Sequence, residues 1–158
     1  MSDEMIRALA AKGGVILINF GSAFLRDDIR TKSEPLFAKI TEARKAHGWT
    51  GSEPEAKEFE KRLEAESKVG VADLRDVADH IDHVVGLVRV EHVGLGSDFD
   101  GVGDTLPTGL KDVSMYPNLL AELLRRGYSD ADLEKICSGN ALRVMAAAQR
   151  ASEPLDAR

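Results

Sequence analysis

The chain has 158 residues and an ordinary globular composition, 43% hydrophobic, 30% charged and 5% aromatic. That length suits a domain with a real core and falls short of the roughly 250 residues of a complete α/β barrel. Twenty-one Lys and Arg against 27 Asp and Glu leave a net charge of −6, which argues against nucleic acid or an anionic membrane surface as partner. One cysteine, Cys137, excludes an intrachain disulfide framework and a cysteine-rich zinc site. The N-terminus lacks the basic and then apolar pattern of a secretory signal. No apolar run approaches the roughly 20 residues of a membrane helix. The expectation is a soluble protein of a reducing compartment, cytoplasmic by default.

Ser2 reads as the N-cap of a first helix, with Asp3 and Glu4 where the helix dipole favours acids. Met5, Ile6, Leu9 and Ala10 recur at helical spacing, and Gly13-Gly14 ends the helix. Val15-Ile16-Leu17-Ile18 is a β-branched run without polar alternation, which predicts a strand buried on both faces of a parallel sheet. Asn19 and Phe20 finish it. Residues 26–79 hold 11 basic and 13 acidic side chains, so this stretch is mostly solvated surface. Within it, a weak helical pattern from about Ser33 breaks at residues 47–51, and Pro54 opens a second helix to about Ser67. We read about 26–72 as a charged helical insertion in a unit spanning residues 1–150. Residues 151–158 read as a frayed tail.

Leu74, Val77, Ala78, Ile81, Val84, Val85 and Val88 mark a clear amphipathic helix from Asp73 to about Val88. A second buried strand takes Val90 and residues 92–97, followed by a loop rich in Gly and Asp. Three short helices close the pattern: one to Arg126, one capped by Ser129 with Asp132, and one from Asn140 to about Gln149. The fold class is α/β with a parallel pair. Two buried strands alone leave edges for another chain to pair with, so the sequence reads as part of a larger sheet.

Chemistry concentrates in Gly94-Leu95-Gly96-Ser97-Asp98-Phe99-Asp100-Gly101, which places carboxylates just beyond a buried strand, where α/β folds bind ligands. Asp98 is the candidate functional residue. Asp100 and Asp104 are expected to cap the turn. A calcium loop of EF-hand type fails, because position 5 from Asp98 is Val102 and position 12 is Gly109. The Asp-x-Asp-Gly of residues 98–101 also resembles the first motif of haloacid-dehalogenase-type phosphatases. Those need later strands bearing a lysine and an acidic pair, and only helical patterns follow Asp104.

A third resemblance covers far more of the chain. Gly13-Gly14-Val15-Ile16-Leu17-Ile18-Asn19-Phe20, Val77-Ala78-Asp79-His80-Ile81-Asp82-His83-Val84 and His92-Val93-Gly94-Leu95-Gly96-Ser97-Asp98-Phe99-Asp100-Gly101 resemble the membrane (renal) dipeptidase family of zinc metallopeptidases. Residues 109–117, 120–128 and 139–144 continue the match in the same order. The resemblance implies the C-terminal portion of a (β/α)8 barrel, with residues 15–20 as its seventh strand and 93–97 as its eighth. It implies dipeptide hydrolysis at a binuclear zinc site. It makes Asp98 the strand-eight carboxylate that contacts the substrate and shuttles the proton.

The departures matter as much. The family's zinc ligands, a His-x-Asp pair, a bridging glutamate and two histidines, lie upstream of the matching region, so no metal ligand is assigned in this chain. Gly21 and Phe24 stand where several relatives carry pocket tyrosines. His80 and His83 are three apart on one helix, but Asp76 and Asp79 are placed to pair with them without a metal. His47 and His92 read as structural. Tyr116-Pro117 reads as a helix entry, and Cys137 as a small buried residue. The expected partners are a dipeptide, the complementary N-terminal barrel portion and, through free strand edges, a second copy in a homo-oligomer. A non-catalytic relic or interaction module stands as the alternative.

Overall fold

The computed structural model describes residues 1–67 and 69–152. The order is α1 (Asp3–Ala11), β1 (Ile16–Asn19), α2 (Ser22–Leu25), α3 (Asp27–His47), α4 (Pro54–Ser67), α5 (Leu74–Val88), β2 (Val93–Ser97), α6 (Tyr116–Arg125), α7 (Asp130–Glu134) and α8 (Asn140–Ser152). A π-helical turn, Lys135–Gly139, joins α7 to α8. Residues 153–158, most of the expected tail, lie outside the described residues. No helix among the described residues is long and apolar enough to cross a membrane.

The two strands pair in parallel, Ile16 against Val93, Leu17 against Gly94 and Ile18 against Leu95. The register then slips, so Asn19 pairs with Ser97. A parallel pair requires a crossover, here supplied by α2 to α5. One face of the sheet is sealed by helices: Ile18, Phe20 and Val93 join Val77, Ile81, Leu119, Leu123 and Ile136 in a single core. The expectation of burial on both faces is corrected on the other side. Leu17 is 45% exposed and Asn19 is exposed, because helices cover one side of β1 only. Glycine is required in β2, where a Cβ at Gly94 would stand 2.8 Å from Leu17 Cδ2, and one at Gly96 2.3 Å from Asn19 Oδ1.

Local signals set most helix boundaries. Ser2 caps α1 by accepting from the Met5 amide, and Gly13 turns the chain at φ +76°. Asp73 and Asp76 form a reciprocal capping box at α5. Ser129 and Asp132 do the same at α7. The charged stretch is a helical hairpin longer than expected. Its first helix starts at Asp27 rather than Ser33, with Asp27 and Asp28 in the first turn. Gly48 ends it at φ +69°. Arg44 Nε donates to Glu60 Oε1 at 2.7 Å and Trp49 packs between His47 and Phe59, tying the two helices together.

Three further expectations change. Residues 90–92 form a 3₁₀ turn rather than strand. Cys137 is exposed, because the π-helical turn rotates it away from the core that takes Ile136. His80 and His83 do not pair with Asp76 and Asp79. His80 Nε2 donates to the Leu25 carbonyl at 2.9 Å, and His83 Nε2 lies 2.9 Å from Asp3 Oδ1. Asp76 is taken by the cap, and Asp79 by Arg126 at 2.6 Å.

Candidate active site at the strand ends

Parallel pairing and the register slip bring the C-terminal ends of β1 and β2 together. Asn19 Nδ2 donates to Asp98 Oδ2 at 3.5 Å, joining the last residue of β1 to the first beyond β2. Asp98 is half-buried, and its carboxylate stands on the same side as the exposed Asn19. The Asp98 amide donates back to the Gly96 carbonyl at 2.8 Å, and the Gly101 amide to the Asp98 carbonyl at 3.2 Å.

The backbone there is strained. Ser97 and Asp98 both adopt left-handed conformations, φ +60° and +67°, with no glycine to make them cheap. Each such residue costs on the order of 1–3 kcal/mol and persists only where its surroundings enforce it. Here the enforcement is visible on both sides. The Ser97 carbonyl accepts from the Phe20 amide at 2.9 Å, and the Ser97 hydroxyl hydrogen-bonds the Tyr116 hydroxyl. Phe99 belongs to an edge-to-face trio with the fully buried Phe20 and with Tyr116, at centroid distances of 5.7 to 6.2 Å. Asp98 is thus clamped between two anchored neighbours.

A second anchor joins the loops. Ser22, fully buried, donates its hydroxyl to the Thr105 carbonyl and accepts from the Ala72 amide at 2.8 Å. This ties the loop after β1 to the loop after β2 and to the entry of α5. The expected capping by Asp100 and Asp104 does not occur: among the described residues neither carboxylate makes a hydrogen bond, and the Thr105 hydroxyl closes the turn on Val102 at 2.7 Å.

Asp98 stands just beyond β2, where its sequence context predicts it, and Asn19, expected only to finish β1, stands beside it. The sequence pattern misses Ser22 and reads Tyr116 as a helix entry. Tyr116 does open α6, but its hydroxyl also holds Ser97. The aromatic spacing Phe20, Phe99 and Tyr116 was the available signal, and only the tertiary fold joins it.

Zinc does not fit the side chains described here. Among the described residues no three His, Cys, Asp or Glu side chains converge. One ring nitrogen of each of His80, His83 and His92 is engaged, by the Leu25 carbonyl, the Asp3 carboxylate and the Gly14 carbonyl. The phosphatase reading also fails, because no strand follows β2 among the described residues.

A parallel α/β unit that gathers its polar groups where the strands end has the architecture of α/β enzymes. The sequence matches the membrane dipeptidase family, peptidase family M19, over residues 1–158, and the chain belongs to that family of metallopeptidases. It is 57% identical over 74 residues to the dipeptidase aclJ of Aspergillus oryzae, covering 47% of this chain and 17% of that protein. It is 32% identical over 145 residues to an uncharacterized protein of the pqqA 5' region of Klebsiella pneumoniae, covering 92% of this chain and 39% of that one. Among solved structures it superposes on the probable dipeptidase PvdM of Pseudomonas aeruginosa with a TM-score of 0.62 at 31% identity, covering 90% of this chain and 39% of that one. A metallopeptidase of Rhodobacter sphaeroides, liganded with a phosphinate mimic of the dipeptide L-Ala-D-Ala, shares the fold with a TM-score of 0.59 at 24% identity, covering 89% of this chain and 29% of that one. The chain therefore spans between 17% and 39% of the length of these relatives.

Proposed function

We propose that this chain is the C-terminal portion of a dipeptide-hydrolysing (β/α)8 barrel, in which β1 and β2 are the last two strands and the hairpin of α3 and α4 is an insertion. The observation that carries the reading is the Asn19–Asp98 pair on the uncovered side of the sheet, at the C-terminal strand ends. That is where such barrels place their reacting groups. Asp98 is the proton carrier: its carboxylate takes a proton from the attacking water and returns it to the leaving amine. Asn19 fixes its orientation through Oδ2. The zinc ligands belong to a complementary N-terminal portion, since the side chains here do not form a set.

Mixing the chain with a separately produced N-terminal portion and zinc, then assaying dipeptide hydrolysis, tests this. Activity is expected in the mixture alone. Full activity of the isolated chain, or none in a mixture that binds zinc and associates, overturns the reading. Within the mixture, Asp98→Asn is expected to lower turnover by about 10²–10⁴-fold with zinc content intact. Unchanged turnover removes Asp98 from the mechanism.

A further inference from the structure

Among the described residues the Asp98 carboxylate has one hydrogen-bond partner, the Asn19 side chain, and at 3.5 Å that bond lies beyond the usual range. It steers the carboxylate without anchoring the backbone behind it. What fixes the carboxylate is therefore the path of the chain through Ser97 and Asp98. The Asp98 amide donates to the Gly96 carbonyl at 2.8 Å across Ser97, whose φ is +60°. A three-residue turn of this hand is rare and strained. Aspartate visits the left-handed region more readily than most residues, so the strain centres on Ser97. A partner outside the turn has to hold Ser97 there.

That partner is Tyr116. Ser97 shares the strand face of Val93 and Leu95, which turns its hydroxyl toward the helices, where it hydrogen-bonds the Tyr116 hydroxyl. Among the described residues the Tyr116 hydroxyl makes no other hydrogen bond. Tyr116, Leu119 and Leu123 stand at i, i+3 and i+7 of α6, and both leucines are fully buried, so the ring rides on a helix locked into the core. The ring meets Phe20 at a centroid distance of 6.2 Å and Phe99 at 5.7 Å, edge to face in both cases. Packing by the ring and tethering by the hydroxyl are separable, since phenylalanine keeps the first and removes the second.

We propose that Tyr116 is a positioning residue: its hydroxyl holds Ser97 in the left-handed turn and thereby sets where the Asp98 carboxylate stands. Without that tether Ser97 relaxes toward negative φ, a rotation of more than about 100° one residue ahead of the carboxylate. The consequence for catalysis rests on the function proposed above; the tether does not.

The test has two readouts: backbone couplings in the 158-residue chain, and kinetics in the mixture with the N-terminal portion and zinc. NMR scalar couplings at Ser97 and Asp98 distinguish positive from negative φ. Tyr116→Phe and Ser97→Ala remove the same hydrogen bond from its two ends. Each is expected to move residue 97 toward negative φ, and to lower kcat about tenfold or more with KM changed less than about twofold. The double variant Ser97→Ala/Tyr116→Phe is expected to lose no more than either alone. Ser97→Gly/Tyr116→Phe is the rescue. Glycine takes positive φ without a tether, so the left-handed turn and most of the lost kcat should return. A defect of packing alone would not be repaired by deleting a further side chain. Positive φ retained at residue 97 in both single variants, or equal kcat in the glycine and alanine double variants, overturns the proposal. A parent mixture without activity refutes the proposed function, and the couplings then decide the tether by themselves. An active mixture whose kcat ignores Tyr116→Phe refutes the positioning role and leaves that function standing.

Discussion

Gly101 offers a way to displace Asp98 without disturbing the fold. Its φ lies outside the left-handed region, so alanine can adopt its backbone conformation. The added Cβ would stand 2.2 Å from Asp98 Oδ1 and 3.1 Å from Cγ. Ordinary contact needs well over 3 Å, so the carboxylate must retreat by about 1 Å. Its hydrogen bond from Asn19, already 3.5 Å long, has no slack to follow. Turning the half-buried carboxylate off its rotamer costs about 0.5–1.5 kcal/mol. Glycine to alanine returns about 0.4–1 kcal/mol through the unfolded chain. Stability should therefore change by less than about 1 kcal/mol. A 1 Å error in a reacting group costs on the order of 10² in rate. Gly101→Ala in the reconstituted mixture should thus melt like the parent and turn over about 100-fold more slowly. Gly103→Ala is the contrast: its φ of +53° penalises alanine, but nothing lies within 4 Å of the new Cβ. It should lose about 1 kcal/mol of stability and keep its turnover. Full turnover in Gly101→Ala, with Asp98 shown to have moved, would refute the role given to that carboxylate.

Arg126 bridges α5 and α6 through Asp79, Asp82 and the nearly buried Glu122, at 2.6 to 2.7 Å. Arg126→Met should destabilise the chain by about 2 kcal/mol in urea unfolding, discounted because Asp79 and Asp82 are well exposed; a change under about 0.5 kcal/mol would contradict the bridge. Hydrogen bonds from Thr50 and Gly51 hold the Glu53 carboxyl down to about 2, at the turn between α3 and α4. A pKa depressed by folding contributes stability above the unfolded value and loses it as pH falls through the folded one. Trp49, the one tryptophan, should therefore report loosening of the hairpin between about pH 4.5 and 2. Glu53→Gln should remove that titration, and an unchanged acid profile would exclude Glu53 as its source.

What the sequence revealed divides by range. The place of Asp98 just beyond β2 was legible because a glycine-flanked carboxylate after a short buried strand is a local pattern. The caps at Ser2 and Ser129 were legible for the same reason. The long-range partners were not. Spacing of four made Asp79 the natural partner of His83, yet Arg126, 47 residues away, outcompetes it. A planar guanidinium that meets three carboxylates at once gains more than an exposed imidazole pairing with one. Cys137 failed through helix type, since a π turn shifts every later side chain off the face that a 3.6-residue period assigns. The left-handed pair at Ser97 and Asp98 carries no glycine, so only tertiary enforcement by Tyr116 and Phe20 could disclose it.

The same division explains why one side of the sheet is finished and the other is not. On the covered side each strand position meets a helix of this chain, and Ile18 and Val93 are sealed. On the other side β1 presents the exposed Leu17 and Asn19, packed beside the buried Gly94 and the half-buried Gly96 of β2. Those glycines create room that Leu17 and Asn19 occupy sideways, so the surface is shaped without being covered. At the start of β2, Asn140 donates to the Val93 carbonyl at 2.9 Å, so this strand is capped by the chain's own α8. A polar pair held by strained left-handed backbone is costly for a surface facing only water. It is economical for a surface that receives further strands and a substrate, and this asymmetry supports the barrel reading more directly than either strand does alone.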